Sequence, residues 1–283
     1  MTRVLLIGGA GRLGTAIARL WSDWEIVAPG HGELDIGDAH ALRDAVERIR
    51  PDVLLNAAAF HDVDRCEDEP QRAFAVNALA VGAAAALARE RDVFFVTIST
   101  DYVFDGTARE PYAETAPAHP ISVYGVSKLA GEYLAGCLGS RALVVRTCGL
   151  YGTASSRNRT HLIERVLEWK PGNPPLRVVA DVVASPTFAG HLADTLRRLI
   201  VTESKGLYHA VDRGPVSWFD FAREVARAAG LDVPVEPISA AQWRSRAARP
   251  RFSALDTAKL RGLGIEMPRW QAGIAAHLAA RLR

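Results

Sequence analysis

Short aliphatic runs alternate with stretches of helical periodicity through the first half of the chain. Residues 4–7, 25–28, 53–55, 93–98 and 142–146 read as strands, and 13–20, 39–49, 70–90 and 123–138 as the helices between them. Most of the strand runs are near-continuous in Val, Ile and Leu, with little alternation of polar residues. That predicts strands buried on both faces of a parallel sheet. Strand then helix, repeated, is the pattern of an α/β chain with a doubly wound, Rossmann-like parallel sheet.

After Gly152 the pattern loosens. The polar stretch 155–160 opens a helix near 162–169, and Pro171-Gly172-Asn173-Pro174-Pro175 interrupts the chain. A strand near 177–180, a helix near 188–200, a strand near 207–210 and helices near 218–229 and 270–282 follow. These pieces are too few for a second full sheet. The expected organisation is a Rossmann-like domain at 1–150, to which later segments return, and a smaller C-terminal cap at 151–283.

Composition narrows the class. The 283 residues are 49% hydrophobic and 23% charged, as expected for a globular chain with a substantial core. Lys and Arg total 34 against 32 Asp and Glu, a balance too even for the basic footprint of a nucleic-acid binder. Cys66, Cys137 and Cys148 form no CxxC pair and read as buried, reduced thiols, which points to the cytoplasm. The N-terminal apolar run is cut by glycines and Arg12 too early for a signal-peptide core, and the Ala-rich stretch 77–88 is too short to span a membrane.

Candidate chemistry begins at residue 8. Gly8, Gly11 and Gly14, around Arg12 and Leu13, lie between the first strand and the first helix with GxxGxxG spacing. Such glycines give a tight turn, close backbone approach to a pyrophosphate and close helix–strand packing, and the helix start favours the phosphates. The bland alternative is an ordinary glycine-rich turn. The second strand ends in Ala28-Pro29-Gly30-His31 without a carboxylate to bind a ribose 2′-hydroxyl, which favours NADPH, with NADH as the alternative carrier. Arg12 is either a ligand of the 2′-phosphate or a solvated helix-start residue. Asp35, beside Ile36, either accepts from the adenine amino group or closes a turn. Asn56-Ala57-Ala58 places small residues where a cofactor would pass the backbone.

Tyr124 and Lys128 stand four positions apart, on one face of the predicted helix. Reducing a ketone needs a hydride on carbon and a proton on oxygen. A phenol with an unperturbed pKa of about 10 is a reluctant donor at neutral pH, and a neighbouring ammonium is expected to bring it closer to the working range. Ser99 and Thr100 sit at the carboxyl end of the fourth strand, where ligands bind in open α/β sheets, Ser99 as a contact of the cofactor and Thr100 of the substrate. A hydroxyl there can hold a carbonyl and the alkoxide it becomes.

The order of GxxGxxG, Asn56-Ala57-Ala58-Ala59, the segment Ser99 to Gly106, and Tyr124-Gly125-Val126-Ser127-Lys128 resembles the extended short-chain dehydrogenase/reductases. Val63 to Glu67, Ala75 to Ala80, Ser185-Pro186-Thr187 and Arg249-Pro250-Arg251-Phe252-Ser253 extend the likeness to the dTDP-4-dehydrorhamnose reductase family. The resemblance implies hydride transfer from NADPH to C4 of a 4-keto-6-deoxy sugar nucleotide. It places Thr100, Tyr124 and Lys128 on the catalytic positions and Val63 and Tyr102 against the sugar. It puts Ser185 and Thr187 on the nucleotide side, makes Arg249 a ligand of the diphosphate, and makes 1–150 the NADP-binding part and 151–283 mainly the substrate-binding part. The partner expected is a nucleotide sugar, with a homodimer admissible and no nucleic acid, membrane or metal.

Two segments depart from the family. Arg146-Thr147-Cys148-Gly149-Leu150-Tyr151 stands where the family reads arginine–threonine–serine–tryptophan–valine–tyrosine, so an aromatic wall is missing at Gly149 and open space beside the reacting centre is expected. Thr160-His161-Leu162-Ile163 replaces the usual asparagine–phenylalanine–valine. Both changes lie on the substrate side, and predict a different sugar or nucleotide. His61, His161, His191 and His209 lack ligand spacing, the acidic stretch from Asp62 to Glu69 reads as solvated charge, and Tyr112 and Trp243 read as packing residues. Arg157, Arg159, Arg244, Arg246 and Arg251 are lesser candidates for a diphosphate. The competing functions are an NAD-dependent sugar-nucleotide epimerase or dehydratase and a non-catalytic NADP-binding regulatory subunit.

Overall fold

The computed structural model describes residues 1–153 and 161–281. Its first half comprises β1 (Arg3–Ile7), α1 (Arg12–Leu20), β2 (Glu25–Val27), α2 (Ala39–Ile49), β3 (Val53–Asn56) and a short α3 (Val63–Asp68). One helical rod follows as α4 (Pro70–Phe74), a π turn at Ala75–Leu79 and α5 (Ala80–Glu90), then β4 (Phe94–Thr100), α6 (Val123–Leu138) and β5 (Ala142–Thr147). The second half holds β6 (Leu150–Tyr151), α7 (Leu162–Leu167), β7 (Leu176–Val179), β8 (Val183–Ala184), β9 (Thr187–Phe188) and α8 (Ala189–Val201). It ends with β10 (Gly206–His209), β11 (Val216–Ser217), α9 (Trp218–Ala229), β12 (Val235–Ile238), α10 (Ala258–Gly262) and α11 (Trp270–Arg281).

Six strands pair in the order β2-β1-β3-β4-β5-β10, every pairing parallel. The apolar runs explain why. Val4 and Leu6 of β1 enter one core with Leu13, Ile17 and Trp21 of the α1 side and Leu192 and Leu196 of α8. Leu5 and Ile7 enter the opposite core with Leu42 and Val46 of α2 and Val81, Ala84 and Ala88 of α5. A strand's side chains alternate between faces, so both faces must be apolar when helices cover both. The short edge strand β2 carries the exposed Glu25, one way of blunting a sheet edge. The remaining apolar residues of the second half, among them Tyr151, Ile163, Phe188, Phe221 and Ile274, make a separate core.

Helix boundaries follow their caps. Asp38 accepts from the N–H groups of His40 and Ala41, Ser122 from Gly125 and Ser217 from Asp220, which starts α2, α6 and α9 where the sequence predicts. Several elements differ from expectation. The acidic stretch contains α3, capped by Asp62, and its Asp64 binds Arg249 and the N–H groups of Arg246 and Ala247. β12 pairs with β7 although it contains Pro237, and α10 adds a further short helix. The rod Pro70–Glu90 has 21 residues, and an 18-residue window within it has a mean hydropathy of 1.3, enough by length and composition to cross a bilayer, but 56% of that window is buried inside the protein. Cys66 and Cys148 are buried, whereas Cys137 is exposed on α6. Trp243 is 43% exposed, so it is no core residue. Tyr112 does pack, stacked on Phe104 with ring centroids 4.0 Å apart.

The sheet is tied to α6 by a buried ion pair. Arg146 of β5 binds Glu132 through Nε and Nη2 at 2.8 and 2.6 Å, and Ser99 donates to the same carboxylate at 2.5 Å. Both charged side chains are almost wholly buried. Removing one partner leaves the other charged and unpaired, a cost of about 3–5 kcal/mol. Glu132→Ala is therefore expected to lower the unfolding free energy by that amount in a urea titration.

Candidate active site

β1 ends at Ile7 and the chain turns at Gly8, where φ is +84° and the carbonyl accepts from Gly11 N–H at 3.0 Å. A Cβ on Gly8 would lie 2.8 Å from the Ala58 nitrogen, so this turn rests on the backbone that follows β3. A Cβ on Gly14 would meet Gly9 Cα at 2.5 Å, so α1 also needs glycine where it leaves the turn. Gly11 is the N-cap of α1 and carries no capping side chain, while Leu13 anchors the helix in the core. The positive end of the helix faces the crevice between β1 and β3, where the strand order reverses. Asn56 shapes the far lip, accepting from Ala58 N–H at 3.0 Å and donating to Thr97 at 3.3 Å.

The adenosine end is less as expected. His31 is exposed and lies 3.9 Å from the Asp35 carboxylate, which itself accepts from Gly37 N–H at 2.9 Å and so closes a turn. Ile36 is core. Glu33, not singled out in the sequence, accepts from Gly30 N–H at 2.8 Å and brings a carboxylate onto the turn after β2. Arg12 is half-buried, and burial lowers its pKa against the opposing pull of Glu164. Its charge also acts on His161 and His277, which places the guanidinium beside the α7 and α11 side of the crevice.

The proton-transfer set is assembled at the carboxyl end of β4. The Tyr124 phenol adjoins the Thr100 hydroxyl. Burial raises the phenol's pKa well above its ordinary value, with Thr100 opposing and the carboxyl of Asp101 reinforcing the rise. The expected lowering by Lys128 is absent from the influences on this phenol. Lys128 donates instead to the Ile98 carbonyl at 2.6 Å, and burial pulls its pKa down to about 8 despite Glu132. Ser99, expected on the cofactor, is buried and committed to Glu132. Tyr102 sets its ring edge-on to Tyr124, centroids 5.9 Å apart.

Two backbone contacts fix α6. A Cβ on Gly125 or Gly131 would collide with the carbonyl oxygen of Tyr102 or Asn77 respectively. Asn77, on the π turn, accepts from Phe60 N–H at 2.9 Å and donates to Phe60 O and to Ser127, both at 3.0 Å. It therefore links the loop after β3 to the helix that carries Tyr124. A lone buried asparagine inside an Ala-rich run was the available signal for this role. Val63 stands at the first position of α3, half-buried.

On the substrate side, the expected open space at Gly149 is filled. A Cβ on Gly149, whose φ is +50°, would meet Trp218 Cη2 at 2.6 Å. The indole from the start of α9 thus occupies the flank where this chain lacks an aromatic of its own. His161 caps α7, accepting from Ile163 N–H at 3.4 Å, and its ring hydrogen-bonds the Gly149 carbonyl. Burial and the charge of Arg12 push its pKa down to about 3, so the ring is neutral. Its centroid lies 6.0 Å from that of Trp218. Ser185 and Thr187 are buried, with hydroxyls spent internally: Ser185 accepts from Leu255 N–H, and Thr187 donates to the Ser185 carbonyl. Arg249 is held by Asp64 in a forked pair at 3.0 and 3.1 Å and lies near Tyr102. Arg246 and Arg251 are paired with Asp68 and Asp181, and Arg157 and Arg159 lie outside the described residues.

The whole-chain match agrees with this geometry. The family model described as RmlD substrate binding domain matches residues 1–282. The chain belongs to this family. The dTDP-4-dehydrorhamnose reductase of Aggregatibacter actinomycetemcomitans is 34% identical over 287 residues, covering 96% of each chain. The dTDP-4-keto-6-deoxy-D-glucose reductase of Streptomyces niveus is 34% identical over 257 residues, covering 89% of this chain and 88% of that one. A crystal structure of dTDP-4-dehydrorhamnose reductase from Bacillus anthracis in complex with NADP superposes with a TM-score of 0.93 at 32% identity, covering 99% of this chain and 100% of that one. This RmlD family chain shares the fold of that crystal structure over 99% of its length.

Two outcomes test the site's packing. Gly149→Ala is expected to destabilise by about 1–3 kcal/mol, from positive φ and overpacking against the indole, with part recovered in the Gly149→Ala/Trp218→Ala double variant. Chemical denaturation of the four proteins checks this. Lys128 is depressed below its unfolded pKa, so its destabilising burial is fully present below about pH 8 and fades as pH rises toward the unfolded value. The melting-temperature difference between Lys128→Met and wild type should therefore favour the variant more at neutral pH than well above pH 8, which paired thermal scans measure.

Proposed function

We propose that this chain is an NADPH-dependent reductase that delivers hydride to the keto carbon, C4, of a nucleotide-linked deoxy sugar. The observation that carries this reading is the buried Tyr124 phenol beside the Thr100 hydroxyl at the carboxyl end of β4, in a sheet whose β1 ends on the glycine turn at the same end. The residues present fit a dinucleotide, because α1 starts at Gly11 with no capping side chain over its first N–H groups, and Gly8 and Gly14 let the turn and the helix pack directly on backbone. Gly8, Gly11 and Gly14 would hold its pyrophosphate, Arg12, Leu13 and the Asn56–Ala58 backbone would flank it, and Lys128 would hold the nicotinamide ribose. When bound, the dinucleotide supplies the hydride.

The chain's own work is the proton. A phenol kept protonated by burial is the form required to donate to a carbonyl oxygen that is gaining negative charge. Thr100, on the same hydrogen-bond line, sets where that oxygen must lie. Tyr102 and Val63 border the sugar, and Trp218 stands on the flank beside Gly149. Arg249, fixed by Asp64, presents a charge close to Tyr102 for the phosphate side.

A second reading, an NAD-dependent epimerase or dehydratase, draws support from Glu33, whose carboxylate on the turn after β2 suits a ribose 2′-hydroxyl better than a 2′-phosphate. One experiment separates the two. Purified protein is offered dTDP-, UDP- and GDP-linked 4-keto-6-deoxy sugars with NADPH or NADH while absorbance at 340 nm is followed. The reductase consumes reduced cofactor stoichiometrically with sugar, and Tyr124→Phe lowers kcat by about 10²–10⁴-fold with little change in NADPH affinity. Conversion of sugar without net loss of absorbance, on NAD that copurifies, decides for the second reading.

A further inference from the structure

Directly behind Thr100 lies a carboxyl group that the mechanism above does not use. Asp101 is 3% exposed. The Thr100 hydroxyl donates to its Oδ1 at 3.1 Å, and the Cys148 thiol to its Oδ2 at 3.0 Å. Ser253, from the segment that follows Arg249, brings a third polar side chain beside it. Among the described residues no lysine, arginine or histidine forms an ion pair with it. Burying a carboxyl without a cation costs folding free energy that an apolar side chain would not. Three hydroxyl or thiol donors converge on it from the ends of β4 and β5 and from the C-terminal segment.

The donors decide what Thr100 does. A threonine hydroxyl has one proton and two lone pairs. The proton is directed to Asp101, and one lone pair accepts from Tyr102 N–H at 3.2 Å. One lone pair is left over, and the neighbouring hydroxyl is the Tyr124 phenol. We propose that Asp101 is a positioning residue of the reductase: by taking the Thr100 proton it makes Thr100 an acceptor, which holds the Tyr124 O–H in place until a substrate carbonyl oxygen replaces Thr100 as its partner. The proposal rests on the reductase reading and deepens it. Cys148 and Ser253 keep the carboxylate from rotating, so the C-terminal segment takes part in setting the phenol.

The carboxylate also acts through its charge. The groups facing the phenol are Asp101 and Tyr102 from the end of β4, Cys66 of α3 and Cys148 after β5, while Lys128 on its own helix is turned to the Ile98 carbonyl. Glu67 accepts from the adjoining Val123 N–H, and Arg249 lies behind Tyr102. Burial raises the Asp101 carboxyl's own pKa, and in its ionised form it is the foremost anion raising the phenol's. Removing its charge must let the phenol ionise at lower pH.

Asp101→Ala, Asp101→Asn and Ser253→Ala test this in the 340 nm assay, with thermal melts and NADPH titrations alongside. Asp101→Ala is expected to lower kcat about a hundredfold, with NADPH affinity held within about threefold. Asp101→Asn keeps an acceptor for Thr100 and should recover about tenfold of that loss, with the alkaline limb of its kcat profile moved to lower pH. Ser253→Ala, the mildest change, should lower kcat about threefold or more without weakening NADPH binding, and decides the matter if Asp101→Ala does not fold. Variants that lose melting temperature alone, with kcat and pH profile as in wild type, overturn the positioning role. A wild-type protein that reduces none of the sugars overturns the reductase reading instead, and the role with it.

Discussion

A parallel sheet covered by helices on both faces has almost no place for polar side chains except beyond the ends of its strands. That constraint organises this molecule. Gly8 follows β1, Asn56 ends β3, Ser99, Thr100 and Asp101 stand at the end of β4, and Cys148 and Gly149 follow β5. All lie at carboxyl ends, where helix N-termini add positive potential. At the opposite edge the arginines are already matched: Arg91 pairs with Glu47, and Arg141 with Asp92 and Glu203. Chemistry is left to the end where charge is not already cancelled.

Much of this was legible in the sequence because local signals and global pattern agreed. Doubly apolar strands, capped helices and the glycine turn each have a short-range cause, and the structure places them within a residue or two of expectation. Elements that depend on distant partners were not legible. β12 is a strand only because β7 lies beside it, and Pro237 argued against it locally. The acidic run became a helix whose Asp64 holds Arg249, a contact between residues far apart in the chain. Glu33 reached the cofactor turn by folding back on Gly30, which a reading of strand ends alone passes over.

The same limit explains the error at Gly149. A missing side chain reads as a void only if nothing else fills it. Close packing makes that a poor assumption, since interiors rarely keep space larger than a water molecule. Here an indole from α9 and a neutral imidazole from the start of α7 converge on the glycine from either side. The departures from the family at Gly149 and His161 are therefore parts of one rearranged contact, with Trp218 as its third member. The flank at Gly149 is a wall built by other elements.

The helix carrying Tyr124 and Lys128 touches its neighbours through main chain at Gly125 and Gly131, on either side of Lys128. Main-chain atoms have no rotamers, so the seat of this helix does not loosen when side chains nearby change their packing. Its outer face, with Val126, Tyr133 and Cys137 exposed, is mechanically decoupled from the inner one. Residues there can be exchanged, labelled or adapted to new neighbours while the phenol stays where the turnover geometry needs it.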